Sequence, residues 1–293
     1  MKRYIKYIVV AMAIIGFSSC QEEALDPNSQ IIDSKIEQND FDRWLMKNYT
    51  EPYNIDFKYR MEFNESNMNY YLVPAEYNKA IKIAKLLRYL CLGAYDEVTG
   101  DVTFIRSYFP KMVHLVGSAA YKNNGTMVLG EAEGGLKMTL YYVNNLQLNP
   151  EFLNYYYFKT MHHEFAHILH QTKPYPADFK MISGSDYTAD TWSEVWDDDA
   201  DAQANGFISE YASKEANEDF VELIAIYITN TDAEWNSIIS AAGEGGDIIT
   251  SKFDIVYNYM NNSWGIDLDE LRATILERQS HIPLLDLEDI TIN

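Results

Sequence analysis

Cysteine is nearly absent from the sequence, with only Cys20 and Cys91 among 293 residues. Cys20 is a candidate for lipid attachment, as described below, and its acylation would leave no intramolecular disulfide. Cys91 lies in the apolar run from Leu86 to Leu92, which predicts a buried thiol. A hydrophobic core must therefore stabilise the fold, and the ~250 residues after the amino-terminal segment are enough to build one.

Basic residues are also scarce, with 23 Lys and Arg against 44 Asp and Glu, which gives a net charge of −21. A chain this acidic would be repelled by the phosphates of nucleic acid, so we expect no nucleic-acid binding. It offers no basic face to a membrane either, so membrane contact should come from an attached lipid. The sequence shows no internal repeat and no low-complexity segment.

The amino terminus contains an apolar run, Ile8 to Gly16, that is too short to span a bilayer. Basic residues precede this run, and small serines precede Cys20, which is typical of a lipoprotein signal peptide over residues 1–19. An uncleaved transmembrane anchor is the alternative. Cleavage would remove three basic residues and no acidic residue, changing the net charge from −21 to −24.

The sequence after the signal peptide predicts a lipidated Cys20 with a flexible tether over residues 20–39 and one domain over residues 40–293. The residues Gln21-Glu22-Glu23 resemble the acidic signal that exports such lipoproteins to the outer surface. We therefore expect an outer-membrane lipoprotein exposed at the cell surface.

Histidine is rare as well, yet four of the six histidines fall within one predicted helix: His162, His163, His167 and His170. Asn149 can cap this helix, Pro150 can occupy its first position, and no glycine or proline follows before Pro174. His163 and His167 then share one face with Glu164 between them, the arrangement of a catalytic zinc site. An accidental cluster on a surface helix is the alternative.

A catalytic zinc needs a third protein ligand. His170 lies one turn too far along to join the other two histidines, so we interpret it as a residue that supports them or the core. The apolar segment from Asn217 to Ile228 predicts a buried helix that carries Glu218 and Glu222 on one face. A zinc ion and its histidines would satisfy both carboxylates, and spacing alone leaves open which is the ligand. The alternative is that both glutamates lie on a narrow, solvent-exposed stripe of this helix.

The motif His163-Glu164-Phe165-Ala166-His167 followed by Asn217-Glu218-x-x-x-Glu222 resembles the gluzincins, the metallopeptidases of thermolysin and anthrax lethal factor type. The resemblance covers roughly residues 150 to 230. It implies one zinc per chain, Glu218 as the third ligand, Glu222 as the residue that orients a histidine, and Glu164 as the general base. Tyr211 stands seven residues before Glu218, as in the lethal-factor branch, which implies that it stabilises the oxyanion.

With its amino terminus, the chain is also similar to zinc metallopeptidase lipoproteins found beside carbohydrate-import genes in Bacteroidetes. This resemblance implies hydrolysis of peptide bonds in a peptide or protein substrate, and an outer-membrane import system as a possible partner. Two alternatives remain open: a substrate such as a glycoprotein or another amide, and an inactive zincin-fold lipoprotein that binds peptide or glycan.

The predicted fold is α+β and zincin-like, with a mixed sheet, an active-site helix and a mainly helical second half. Strands are expected over residues 53–63, 104–108, 112–116, 126–129 and 136–143, and helices over 74–95, 251–260 and 267–278. In gluzincins the last strand before the active-site helix follows the cleft edge and pairs with substrate, so we expect this of residues 136–143.

The insert from Gln171 to Ser213 is rich in Tyr, Trp and Asp. Its acidic run, Asp197 to Asp201, does not fit a calcium-binding EF-hand loop, because Ala202 stands where glycine is required. We interpret the run as a solvated helix face, and Trp192 and Trp196 as core residues.

Overall fold

A four-stranded mixed sheet occupies the first half of the computed structural model, which describes residues 37–121, 127–128, 130–133 and 135–292. The strands are β1 (Asp56–Lys58), β2 (Met112–Leu115), β3 (Ala120–Tyr121), β4 (Met127–Val128), β5 (Gly130–Glu133) and β6 (Lys137–Leu140). The sheet order is β1-β2-β6-β5, with β1, β2 and β6 parallel and β5 antiparallel to β6. Strands β3 and β4 pair in a separate ribbon.

The two middle strands are buried on both faces. Val113 and Leu115 of β2 are buried, and so is the intervening His114, whose side chain points to the opposite face. In β6 the polar Thr139 is buried between Met138 and Leu140. Parallel strands covered on both sides characteristically show such continuous burial.

Fourteen helices accompany these strands in the described part of the chain. They are α1 (Asp40–Leu45), α2 (Glu51–Tyr53), α3 (Tyr77–Leu87), α4 (Gly93–Thr99), α5 (Val102–Tyr108), α6 (Pro150–Leu153), α7 (Lys159–Thr172), α8 (Asp178–Ser183), α9 (Trp192–Val195), α10 (Asp199–Ala204), α11 (Ala216–Thr229), α12 (Asp232–Ala241), α13 (Glu244–Tyr259) and α14 (Leu268–Ser280). The predicted α+β class with a mainly helical second half is therefore confirmed. No described helix is both long and apolar enough to cross a membrane.

Two of the strand predictions need correction. Residues 104–108 form part of helix α5. Asp101 is the N-cap of this helix, and its side chain accepts a hydrogen bond from the backbone N–H of Thr103. The adjacent Phe104 and Ile105 are both buried in the same core cluster, as neighbours on the apolar face of a helix can be. Of the strand predicted over residues 53–63, only β1 forms.

The predicted helices over residues 74–95, 251–260 and 267–278 are confirmed as α3 with α4, α13 and α14, although α3 begins at Tyr77 and α13 at Glu244. A π-helical turn, Arg88–Leu92, joins α3 to α4. Helices α1 and α12 were not expected from the sequence pattern. The predicted strand over residues 126–129 is described only at β4, because the positions on either side of β4 lie outside the described residues.

The predicted cleft-edge strand lies inside the sheet. Strand β6 of the 136–143 segment pairs with β2 on one side and β5 on the other, so β5 forms the sheet edge. Gly130 begins β5 close to helix α7, where an added Cβ would lie 2.7 Å from Thr160 Cγ2. A side chain at this position would therefore push the edge strand away from the helix.

Helices α7 and α11 pack against each other and carry the five motif residues with assigned roles, which are His163, Glu164 and His167 on α7 and Glu218 and Glu222 on α11. Asn149 caps the segment that leads into α7, accepting a hydrogen bond from the backbone N–H of Phe152 at 2.8 Å. A π-helical turn, Asn154–Phe158, separates α6 from α7. Helix α11 is buried along almost its entire length, so its carboxylates have to find partners inside the protein.

Candidate metal centre

Three side-chain atoms from helices α7 and α11 converge on one point. His163 Nε2 and His167 Nε2 are 3.2 Å apart, and Glu218 Oε2 lies 3.1 Å from the first and 3.0 Å from the second. Tetrahedral zinc with bonds of about 2.05 Å would hold its ligands about 3.3 Å apart. The observed separations are within a few tenths of an ångström of that value. In the described part of the chain, no other His, Cys, Asp or Glu group forms such a set.

The outer nitrogens of both histidines are hydrogen-bonded, and the carboxylate partner of His163 determines which of its nitrogens carries the proton. His163 Nδ1 lies 2.8 Å from Glu222 Oε1, a carboxylate that can only accept, so Nδ1 carries the proton. His167 Nδ1 lies 3.0 Å from His170 Nε2. Burial, and secondarily His167, lowers the pKa of His170 to about 4, so this ring is neutral and its Nε2 can accept. With His167 Nδ1 donating to His170, the inner Nε2 atoms of both histidines face the carboxylate oxygen and are the two nitrogens that can bind a cation.

Three potential ligand atoms this close together need a positive charge between them, either a proton or a metal ion. Although burial opposes charge on His163, Glu218 and Glu222 raise its pKa to about 9, so a proton occupies the site in the absence of metal. A divalent ion satisfies all three atoms at once, and its binding would release that proton. The donor set of two imidazoles and one carboxylate is the composition of a catalytic zinc site. The residues therefore fit zinc.

Glu222 does not reach this point but supports it. Its Oε1 accepts from His163, while Oε2 accepts from Ser209 Oγ at 2.7 Å and from Lys159 Nζ at 2.9 Å. Although burial alone would raise the pKa of Glu222, Lys159 and His163 hold it well below its usual range. Glu222 is therefore ionised and orients His163.

Glu164 and Tyr211 flank the centre on the open side. Glu164 follows His163 and lines a cavity on each side of the centre. The Tyr211 ring lies 5.8 Å from the His163 ring and 5.0 Å from Trp192, against which it packs edge-on. Burial first, and then the charge of Glu218, raises the pKa of Tyr211 well above its usual value, so the hydroxyl keeps its proton.

The two cavities differ in chemistry. One, of about 280 Å³, lies between β4, the start of β5 and Tyr211; the other, of about 290 Å³, lies beside His167 and Glu218. The first has mostly apolar and aromatic walls, including Met127, Tyr155 and Trp192. Trp192 was expected in the core but is half-buried at this wall. The second has polar walls: His170, Gln171, Glu215 and Asn217.

The acidic run from Asp197 to Asp201 is exposed, which confirms the expectation of a solvated face. Asp198 caps helix α10, and Asp199 accepts a hydrogen bond from the backbone N–H of Glu210 at 2.8 Å. Trp196 is also half-buried and donates to Ser213 Oγ at 2.7 Å. Cys20 and the signal peptide lie outside the described residues.

Three residues that contact the site were missed from the sequence: Lys159, Ser209 and Lys214. Lys159 stands four residues before His163, and Lys214 four residues before Glu218. That spacing is visible in the sequence, although it does not tell which lysine a folded chain would turn inward. No sequence signal identifies Ser209.

Residues 34–269 of the chain match the family described as "Putative zinc-binding metallo-peptidase". The chain is also similar to a solved structure described as a "putative zinc-binding metallo-peptidase" from Bacteroides caccae, with 46% sequence identity and a TM-score of 0.77. That similarity covers 90% of this chain and 100% of the other. No curated protein matches the sequence.

Proposed function

Because the chain belongs to the "putative zinc-binding metallo-peptidase" family, we propose that it hydrolyses peptide bonds by a gluzincin-type mechanism, with one zinc ion per chain. His163, His167 and Glu218 would hold the ion. The observation that carries this proposal is the convergence of their three ligand atoms, which lie 3.0–3.2 Å from one another, next to the Glu164 carboxylate on the open side. Zinc, when bound, supplies a Lewis acid that lowers the pKa of water and polarises a carbonyl group.

Glu164 is the proposed general base. It belongs to the same helical turn as His163, and it faces the cavities on both sides of the centre. In this position its carboxylate can accept a proton from the attacking water and later deliver that proton to the leaving amine. It takes no part in the proposed ligand set.

Tyr211 is the proposed donor to the oxyanion. Its hydroxyl remains protonated because burial and nearby carboxylates oppose ionisation. It can therefore donate a hydrogen bond to the substrate carbonyl oxygen as negative charge develops there. The ring is held by Trp192 on one side and packs near His163 on the other.

Strand β5 is the proposed platform for an extended substrate. It forms the edge of the described sheet and begins beside Thr160 of α7. The turn after it brings Gly135 beside Ile168, so the strand follows the helix past the metal centre. Backbone pairing with such an edge gives affinity without demanding one side-chain sequence.

Cell-surface anchoring through Cys20 is part of the proposal and rests on the sequence of the amino terminus. A lipid on this residue, with the acidic Gln21-Glu22-Glu23 after it, would place the enzyme at the outer membrane. Peptide or protein would be its substrate there, and an import system a possible partner.

The test compares the full-length protein with Glu164→Gln on a diverse peptide library. The zinc-loaded wild-type protein should cleave peptides, and Glu164→Gln should lose turnover while keeping its zinc, because this residue handles protons without binding the ion. Zinc-loaded wild-type protein that cleaves no peptide would contradict the proposal and favour a binding role. Loss of zinc from Glu164→Gln would contradict the assigned role.

A further inference from the structure

Lys214 contacts the metal-site carboxylate from the side that faces away from the histidines. Its Nζ lies 3.2 Å from Glu218 Oε1, whereas Oε2 is the oxygen shared by His163 and His167. The two oxygens of one buried carboxylate therefore have separate partners. Lys214 also stands 5.4 Å from the centre of the Tyr211 ring, so it bridges the ligand and the proposed oxyanion donor.

Helix stability does not explain a lysine at this position. Lys214 ends the short 3₁₀ turn Tyr211–Lys214, and the next residue, Glu215, is the N-cap of α11. A cation near a helix N-terminus is opposed by the helix dipole. The lysine is thus unfavourable for α11 itself. Its favourable contact is the Glu218 carboxylate one turn further on.

We propose that Lys214 is a positioning residue of the metal centre. It occupies the outer oxygen of Glu218, so that Oε2 alone is available for the ion, and it holds the turn carrying Tyr211 against the ligand. Without this contact the Glu218 carboxylate could rotate, and Oε2 would no longer be held toward the two histidines. This inference rests on the proposed zinc site.

The test uses full-length protein in detergent with Lys214→Met, Lys214→Arg and a control, Lys47→Met. Lys47 forms an exposed pair with Glu51 at the same i,i+4 spacing and 3.1 Å, in a part of the chain that does not line the site. Three quantities are measured: zinc affinity by chelator competition, the visible spectrum of the cobalt-substituted protein, and the melting temperature without metal.

We expect Lys214→Met to bind zinc ~10- to 100-fold more weakly, as is typical when a residue that orients a ligand is lost. Its cobalt spectrum should differ from that of the wild-type protein, because the ligand oxygen is no longer held in one orientation. The metal-free protein should melt at the same temperature or higher, because Glu218 keeps its contacts with both histidines and the helix dipole no longer opposes a cation. Lys214→Arg, which keeps the charge and the donors, should restore most of the affinity. Lys47→Met should match wild-type protein.

Two results would overturn the inference while leaving the zinc site intact: unchanged affinity and spectrum in Lys214→Met, or a fall in metal-free melting temperature that accompanies the weaker binding. The first would make the contact irrelevant to the ion, and the second would make it merely structural. Wild-type protein that binds no zinc would remove the proposed centre, and with it any role of Lys214 there.

Discussion

His162 should make the protein lose stability as the pH falls below neutrality. This residue precedes the proposed ligand His163 but points the other way, into the core, where it is fully buried. Its Nδ1 lies 3.2 Å from the Tyr95 hydroxyl, and its Nε2 has no hydrogen-bond partner among the described residues. Burial lowers the pKa of His162 to about 3. The imidazole is therefore neutral in the folded protein.

The size of the effect follows from the difference between folded and unfolded pKa values. Unfolded chains protonate histidine near pH 6.5, so the unfolded state binds the extra proton between about pH 6.5 and pH 3. Above this window His162 does not change the free energy of unfolding. Within it, the free energy of unfolding falls by about 1.4 kcal/mol for each unit by which the pH is lowered. At pH 5 the expected loss from this residue is about 2 kcal/mol.

The assay is urea-induced unfolding of metal-free wild-type protein and His162→Phe at pH 7.5 and pH 5.0. Phenylalanine leaves the Tyr95 hydroxyl without its partner, which costs stability equally at both pH values. The wild-type protein should lose about 2 kcal/mol more than His162→Phe between the two pH values. His281→Gln, at a partly exposed histidine, is the control and should behave as wild type. Equal losses in wild type and His162→Phe would refute the reasoning, because His162 would then titrate alike in both states.

Three further predictions concern the site and the anchor. Glu218→Ala leaves two protein donors and should retain almost no zinc at micromolar concentrations, whereas Glu222→Gln should bind zinc ~10- to 100-fold more weakly with activity restored by added zinc; a zinc titration giving the reverse order would make Glu222 the ligand. Tyr211→Phe should keep its zinc and lower kcat by ~100- to 1,000-fold, as measured on a cleaved peptide; an unchanged kcat would exclude its hydroxyl as the oxyanion donor. Labelled fatty acid should appear on the full-length protein and be absent from Cys20→Ala; membrane attachment of that variant would indicate an uncleaved amino-terminal helix instead.

The sequence alone was sufficient for features that one helix specifies. The cap at Asn149 and the four-residue spacing of His163 and His167 place both rings on one face wherever the helix packs. The same spacing, with apolar neighbours all round, predicts that Glu218 and Glu222 lie buried on one face of a second helix. These properties depend on helical geometry and on the cost of burying charge, and both can be read from neighbouring residues.

The tertiary structure decided which groups meet across different elements. Glu218, and not Glu222, reaches the two Nε2 atoms because of the way in which α11 packs across α7. The spacing of residues along α11 does not predict this packing. For the same reason the sequence did not reveal that Lys159 of α7 contacts Glu222 of α11, and the spacing of Lys214 and Glu218 did not show that this lysine turns toward the carboxylate. Many lysines lie near glutamates in a chain, and only packing brings a particular pair within 3.2 Å.

In the sheet, too, the sequence predicted single elements, and the tertiary structure decided how they are arranged. Alternation and apolar runs identified β2 and β6, but the order of the strands depends on long-range pairing, so the edge position of β5 was missed. Residues 104–108 were misassigned because a segment of only five residues, Phe-Ile-Arg-Ser-Tyr, is too short for its pattern to distinguish a strand from a helix. The N-cap at Asp101 and a core that accepts adjacent side chains settle that segment as a helix. Local sequence determines what each helix presents, and packing between elements determines what those side chains contact.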